Sequence, residues 1–165
     1  MGKFRVFFVT LTIISIFASI DVEGQTYIGG VGTYNLSGFG IGFQVAIKEN
    51  NKISYQTRLM DNWGNKNKIA YQTYEFGAGI SYKIFKLEDE LSLLIGASPI
   101  VSYQRQSDED SNILQQFNYG GNASLTVNIN TANNSIFGIT LSKAIYGKHF
   151  IAVEDIRLGI AYSFY

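Results

Sequence analysis

Between Gln116 and Ile129 the chain alternates without a fault. Phe117, Tyr119, Gly121, Ala123, Leu125, Val127 and Ile129 occupy the odd positions, and Gln116, Asn118, Gly120, Asn122, Ser124, Thr126 and Asn128 the even ones. Successive side chains of an extended strand point to opposite faces, whereas a helix would scatter the same pattern around its circumference. The segment therefore reads as a strand with one apolar face and one face of amides and hydroxyls. A row of asparagines cannot be the core of a soluble sheet, so that face must meet water or a polar lumen.

The same period recurs from Gln25 to the end, in eight runs separated by turn-forming residues, with no long helical period. The first, about 25–34, is rich in glycine and weakly patterned. The second, about 37–48, sets Phe39, Ile41, Phe43, Val45 and Ile47 against glycines, Gln44, Ala46 and Lys48. The third sets Ile53, Tyr55, Thr57 and Leu59 against Ser54, Gln56, Arg58 and Met60, and a polar connection from Asp61 to Lys68 is expected after it. The fourth opposes Tyr74, Phe76, Ala78, Ile80, Tyr82 and Ile84 to Glu75, Gly77, Gly79, Ser81 and Lys83. The fifth opposes Leu91, Leu93, Ile95, Ala97, Val101 and Tyr103 to Ser92, Gly96, Ser98, Ser102 and Gln104. The sixth is the run already described. The seventh carries Phe137, Ile139, Leu141 and Ile145 on its apolar side together with Lys143, which is expected near a rim where its stem can snorkel. The eighth, Asp155 to Tyr165, places Ile156, Leu158, Ile160, Tyr162 and Phe164 on one face. Pro99 interrupts the fifth run and is expected at a bulge or near the rim, because it has no N–H for a closed ladder.

Two all-β architectures fit eight such runs: a soluble lipocalin-like barrel with the apolar face inside, and a membrane barrel with that face outside. The crowded Phe, Tyr and Ile face would not pack into the narrow interior of eight strands. Charged residues make up only 16% of the chain, against about 25% in an ordinary soluble domain, and aromatics reach 15%. The expectation is an eight-stranded antiparallel up-and-down transmembrane β-barrel. Turns at 49–51, 86–90 and 131–134 then fall on the inner side, and connections at 35–36, 61–68, 105–112 and 147–153 on the outer side. Three of the outer four read as longer and more polar, as in bacterial outer-membrane barrels.

Residues 1–24 resemble a cleaved signal peptide, with Lys3 and Arg5 ahead of the apolar run Val6 to Ile20, which leaves residues 25–165 as the barrel and the bacterial outer membrane as the destination. There is no cysteine, so no disulfide, thiolate metal site or lipid-bearing cysteine is available. Net charge is zero and no basic cluster stands out, which argues against direct nucleic-acid binding. The expected contacts are outer-membrane lipid and other envelope proteins.

Arg58, Glu75, Lys83, Asp155 and Arg157 all fall on the inward parity, so an internal ion-pair network that plugs the lumen is expected rather than a diffusive pore. Trp63 in the second outer connection, and Tyr146, His149 and Phe150 around the last, are candidates for partner contact, since exposed aromatics are enriched at interfaces. Catalysis has little support: His149 is the only histidine, and a lipid-modifying barrel enzyme would have to be built around it. Asp108, Glu109 and Asp110 suit a hard cation by chemistry, but three consecutive side chains cannot converge on one ion, so no metal site or cofactor is expected.

The run Leu91-Ser92-Leu93-Leu94-Ile95-Gly96-Ala97-Ser98, the sequence Asn118-Tyr119-Gly120-Gly121 opening a long strand, and a closing strand around Leu158-Gly159-Ile160 resemble the TraO family of conjugative transposons. The resemblance covers the back two-thirds of the chain. It implies a non-enzymatic outer-membrane component of a conjugative DNA-transfer apparatus in a gram-negative donor, and it brings no catalytic residues. The alternative is a stand-alone small barrel for envelope stability or surface adhesion.

Overall fold

The computed structural model describes residues 25–49, 52–66, 68–87, 90–107, 113–131, 134–147 and 156–164. They form eight strands: β1 (Gln25–Asn35), β2 (Gly38–Lys48), β3 (Ile53–Lys66), β4 (Ile69–Leu87), β5 (Leu91–Ser107), β6 (Ile113–Thr131), β7 (Ser135–Tyr146) and β8 (Ile156–Phe164). Each pairs antiparallel with its sequence neighbours, and β8 returns to β1 to close the barrel. The closing ladder is short, running from Ile28 opposite Phe164 to Tyr34 opposite Leu158. The ladder between β5 and β6 extends from Leu91 opposite Ile129 to Ser107 opposite Ile113.

The barrel is apolar outside and polar inside. Ile41, Ile80, Ile95, Val101, Leu125, Leu141, Leu158 and Ile160 are exposed on the outer wall, while Glu75, Ser81, Ser92, Asn118, Thr140, Ser142, Arg157 and Ser163 are buried within it. The upper end is defined here by the links 36–37, 67–68, 108–112 and 147–155, and the lower end by 49–52, 88–90 and 132–134. Exposed aromatics gather near both ends of the wall. Near the upper end Phe39 lies against Trp63, with ring centroids 5.6 Å apart, and Tyr103 against Phe117 at 4.9 Å. Near the lower end stand Tyr55, Tyr82, Tyr162 and Phe164.

Several expectations are corrected. The polar stretch from Asp61 is not a connection: Asn62 pairs with Thr73 and Lys66 with Ile69, so the hairpin continues almost to its turn, where Lys68 has φ 67°. The alternation persists there in polar form, with Asn62 buried inside and Trp63 in the wall. The second upper link is consequently short, and only the third and fourth are long. Likewise β4 runs on to Leu87 through a register shift between Lys83 and Phe85. This bulge leaves Ile84 and Phe85 both exposed, which explains two consecutive apolar residues where alternation demands one. Pro99 sits in the middle of β5, not at the rim. The register with β4 is the same on either side of it, but the ladder is interrupted between the pairs Gly77–Ile100 and Ile80–Ala97. The backbones approach so closely there that a side chain on Gly79 would collide with Ala97 and Ser98, so a glycine is required. Lys143 is exposed and stands opposite Ile156, the first residue of β8, at the upper rim.

Candidate functional site

The lumen divides into a filled upper half and an open lower half. Large side chains close the upper half. Tyr71, Ile100, Ala144 and Tyr146 form a buried cluster, and Met60, Thr73 and Gln104 are buried beside it. Below and among them lies an ion pair that crosses the barrel. Arg157 of β8 donates from Nη1 to both carboxylate oxygens of Glu75 of β4, at 3.1 and 3.0 Å, and the Tyr146 hydroxyl of β7 donates to Glu75 Oε2 at 2.5 Å. Arg157 and Glu75 side chains are 7% and 8% exposed. β4 and β8 are four strands apart in a ring of eight, so the pair joins opposite walls.

Alternation explains how these three groups reach one place. Glu75 shares its parity with Thr73 and Gly77, Arg157 with Gly159 and Ser163, and Tyr146 with Ser142 and Ala144, all facing inward. An isolated carboxylate or guanidinium in such an enclosure would be strongly disfavoured, whereas the pair with a hydroxyl donor satisfies most of its hydrogen-bonding capacity. Among the described residues, Arg157 Nε has no hydrogen-bond partner.

Arg58 stands below this strut. With Gln56, Glu75, Ser98 and Asn122 it borders a small void of about 20 Å³, and it lies within electrostatic reach of Glu75 and Arg157. Its other side faces the lower cavity, of about 280 Å³, which extends to Gln25, Lys48, Asn130 and Asn134 at the lower rim. The cavity exists because the lower lining is built from small residues such as Ala46, Ser54, Ser81, Ser92, Gly138 and Ala161. The lumen is thus a cup closed at the upper end, where a lumen filled throughout was expected. Gln44 crosses behind β1 to donate to Ser163 Oγ at 2.9 Å, and Thr126 and Thr140 hydroxyls share a hydrogen bond of 2.9 Å, so part of the lining is fixed in position.

The sequence-selected residues distribute as follows. Glu75 and Arg157 are joined, and Arg58 and Lys83 face the cavity beneath them. Asp155, His149 and Phe150, like the trio Asp108, Glu109 and Asp110 and the leader segment 1–24, lie outside the described residues. Tyr146 is not a partner-contact residue of a loop. It is the last residue of β7, 6% exposed, and its hydroxyl is held by Glu75. Trp63 belongs to the aromatic group on the upper wall. Tyr146, Tyr71 and Ile100 were missed as plug residues; for Tyr146 the inward parity of Ser142 and Ala144 was the available signal. No group of metal-ligating side chains is found among the described residues.

No family model matches this chain, and no curated protein matches it in sequence. Its fold is similar to small outer-membrane barrels. Neisserial surface protein A aligns with TM-score 0.64 and 14% identity over 84% of this chain and 93% of that one. The N-terminal β-barrel domain of Pseudomonas aeruginosa OprF aligns with TM-score 0.64 and 12% identity over 86% of this chain and 100% of that one. The attachment invasion locus protein Ail of Yersinia pestis aligns with TM-score 0.52 and 9% identity, covering 85% and 94%.

Proposed function

We propose that this chain is a stand-alone small barrel of the bacterial outer membrane, serving the envelope or surface attachment by binding rather than by turnover. The observation that carries the reading is the inverted wall: exposed aliphatics between two sets of aromatics, around a polar, plugged interior. Tyr74 and Tyr82 are eight residues apart on β4, about 26 Å along the strand. With the usual tilt this approaches the height of a barrel's apolar band. The longer links then face the exterior, and a leader at 1–24 serves export. Similar barrels include a neisserial surface protein and an attachment invasion locus protein, which supports a role at the cell surface. The test is fractionation of expressing cells. The protein should appear with the outer membrane and migrate differently in denaturing gels before and after boiling. Recovery in the soluble fraction without detergent would overturn the assignment.

A second reading, a component of a conjugative transfer apparatus, rests on the sequence resemblance at 91–98, 118–121 and 158–160. Those residues lie in β5, β6 and β8. On this reading a donor lacking the gene should lose transfer frequency by orders of magnitude and regain it with a restored copy. An unchanged frequency would remove it.

A further inference from the structure

We propose that the lower half of the lumen is a binding site for a small oxyanion, a phosphate or a carboxylate, seated on Arg58 and flanked by Lys83 and Lys48. Three observations converge. The first is charge. Of the carboxylates among the described residues, Glu75 alone lies inside the wall, and it is held by Arg157 and Tyr146. Asp61 is occupied outside by Gln72, while Glu49 and Glu90 are exposed and outside the cavity lining. Among the described residues, two arginines against one carboxylate leave the lumen with a surplus positive charge, to which Lys83 and Lys48 add at the mouth.

The second observation is that the side chains of these cations have no hydrogen-bond acceptor among the described residues. Among the described residues, the side chains of Arg58, Lys83 and Lys48 make no hydrogen bond or ion pair, and Lys83 feels Lys48 and Lys86 as like charges. An enclosed guanidinium without an acceptor is costly, and a bound anion removes that cost. The planar fork of Arg matches phosphate and carboxylate geometry better than it matches a spherical ion.

The third is space and neutral donors. The cavity of about 280 Å³ is open at the lower rim, closed above by the strut, and lined by Gln56, Ser54, Ser81 and Asn128. That volume lies at the small end of ligand pockets, which suits a small solute. A low-dielectric protein wall around a positive floor focuses the field toward the mouth. The ligand is a free solute, because the wall of the closed barrel stands between the lumen and the lipid. The inference does not depend on which envelope role the barrel serves.

The test is a calorimetric titration of the purified barrel, in a phosphorus-free and carboxylate-free detergent, with inorganic phosphate and with succinate. Saturable one-to-one binding of either anion is expected, weakened about tenfold or more in Arg58→Gln, as loss of a charge-assisted bond implies. Lys83→Gln, at the mouth, should weaken binding by a smaller factor without touching the strut. Absence of saturable binding by both anions at millimolar concentration would overturn the proposal. So would wild-type affinity in a folded Arg58→Gln barrel, or, if that variant does not fold, in Lys83→Gln.

Discussion

Replacing Glu75 by alanine is expected to destabilise the barrel by about 3–5 kcal/mol, the cost of leaving one partner of a buried pair alone. Arg157 Nη1 would lose both its carboxylate acceptors and Tyr146 the carboxylate that accepts from its hydroxyl, inside a region already closed by Tyr71, Ile100 and Ala144. No nearby carboxylate among the described residues can substitute. Reversible urea unfolding in lipid vesicles measures the effect. The double variant Glu75→Met/Arg157→Met should be much closer to wild type than either single change, because it removes both charges and keeps the volume. A Glu75→Ala barrel within about 0.5 kcal/mol of wild type, the range of an ordinary surface change, would show that the strut contributes nothing.

Leu141→Arg is expected to cost up to about 2–4 kcal/mol in the same assay, the penalty for a cation on a lipid-facing strand, which is largest at the bilayer midplane. Leu141 is 49% exposed and pairs with Leu125 and Leu158, in the apolar part of the wall. The sign is informative because exposure on a water-facing wall predicts the opposite: there the change would fall within about 0.5 kcal/mol of zero. Lys143 shows what the wall tolerates two residues away, where the strand reaches the upper rim.

Much of the wall was legible because alternation is a local property. In β6 each residue announces its own face, and closure follows from eight such strands with short links. What escaped were features set between strands. The ladder from Asp61 to Lys66 carries polar residues, so composition suggested a loop while pairing with Ile69 to Tyr74 made it a strand. Pro99 is tolerated in mid-wall because Gly77 and Gly79 on the neighbouring strand let the ladder lapse there without changing register. Parity placed Arg58, Glu75 and Arg157 inside, but not their heights. Only the register shows that Glu75 meets Arg157 while Arg58 remains one level lower, facing open space. Tyr146 was misplaced because the adjacent Gly147 drew it into a loop.

β8 does two jobs with a few residues. Its backbone between Leu158 and Phe164 supplies the ladder that joins β1, and its Arg157 supplies the cation that neutralises Glu75 across the lumen. A chain stopping short of Ile156 would therefore present two unpaired sheet edges and an internal carboxylate without its cation together. Both defects are repaired by the arrival of one strand, so closing the wall and neutralising its interior fall to the same few residues.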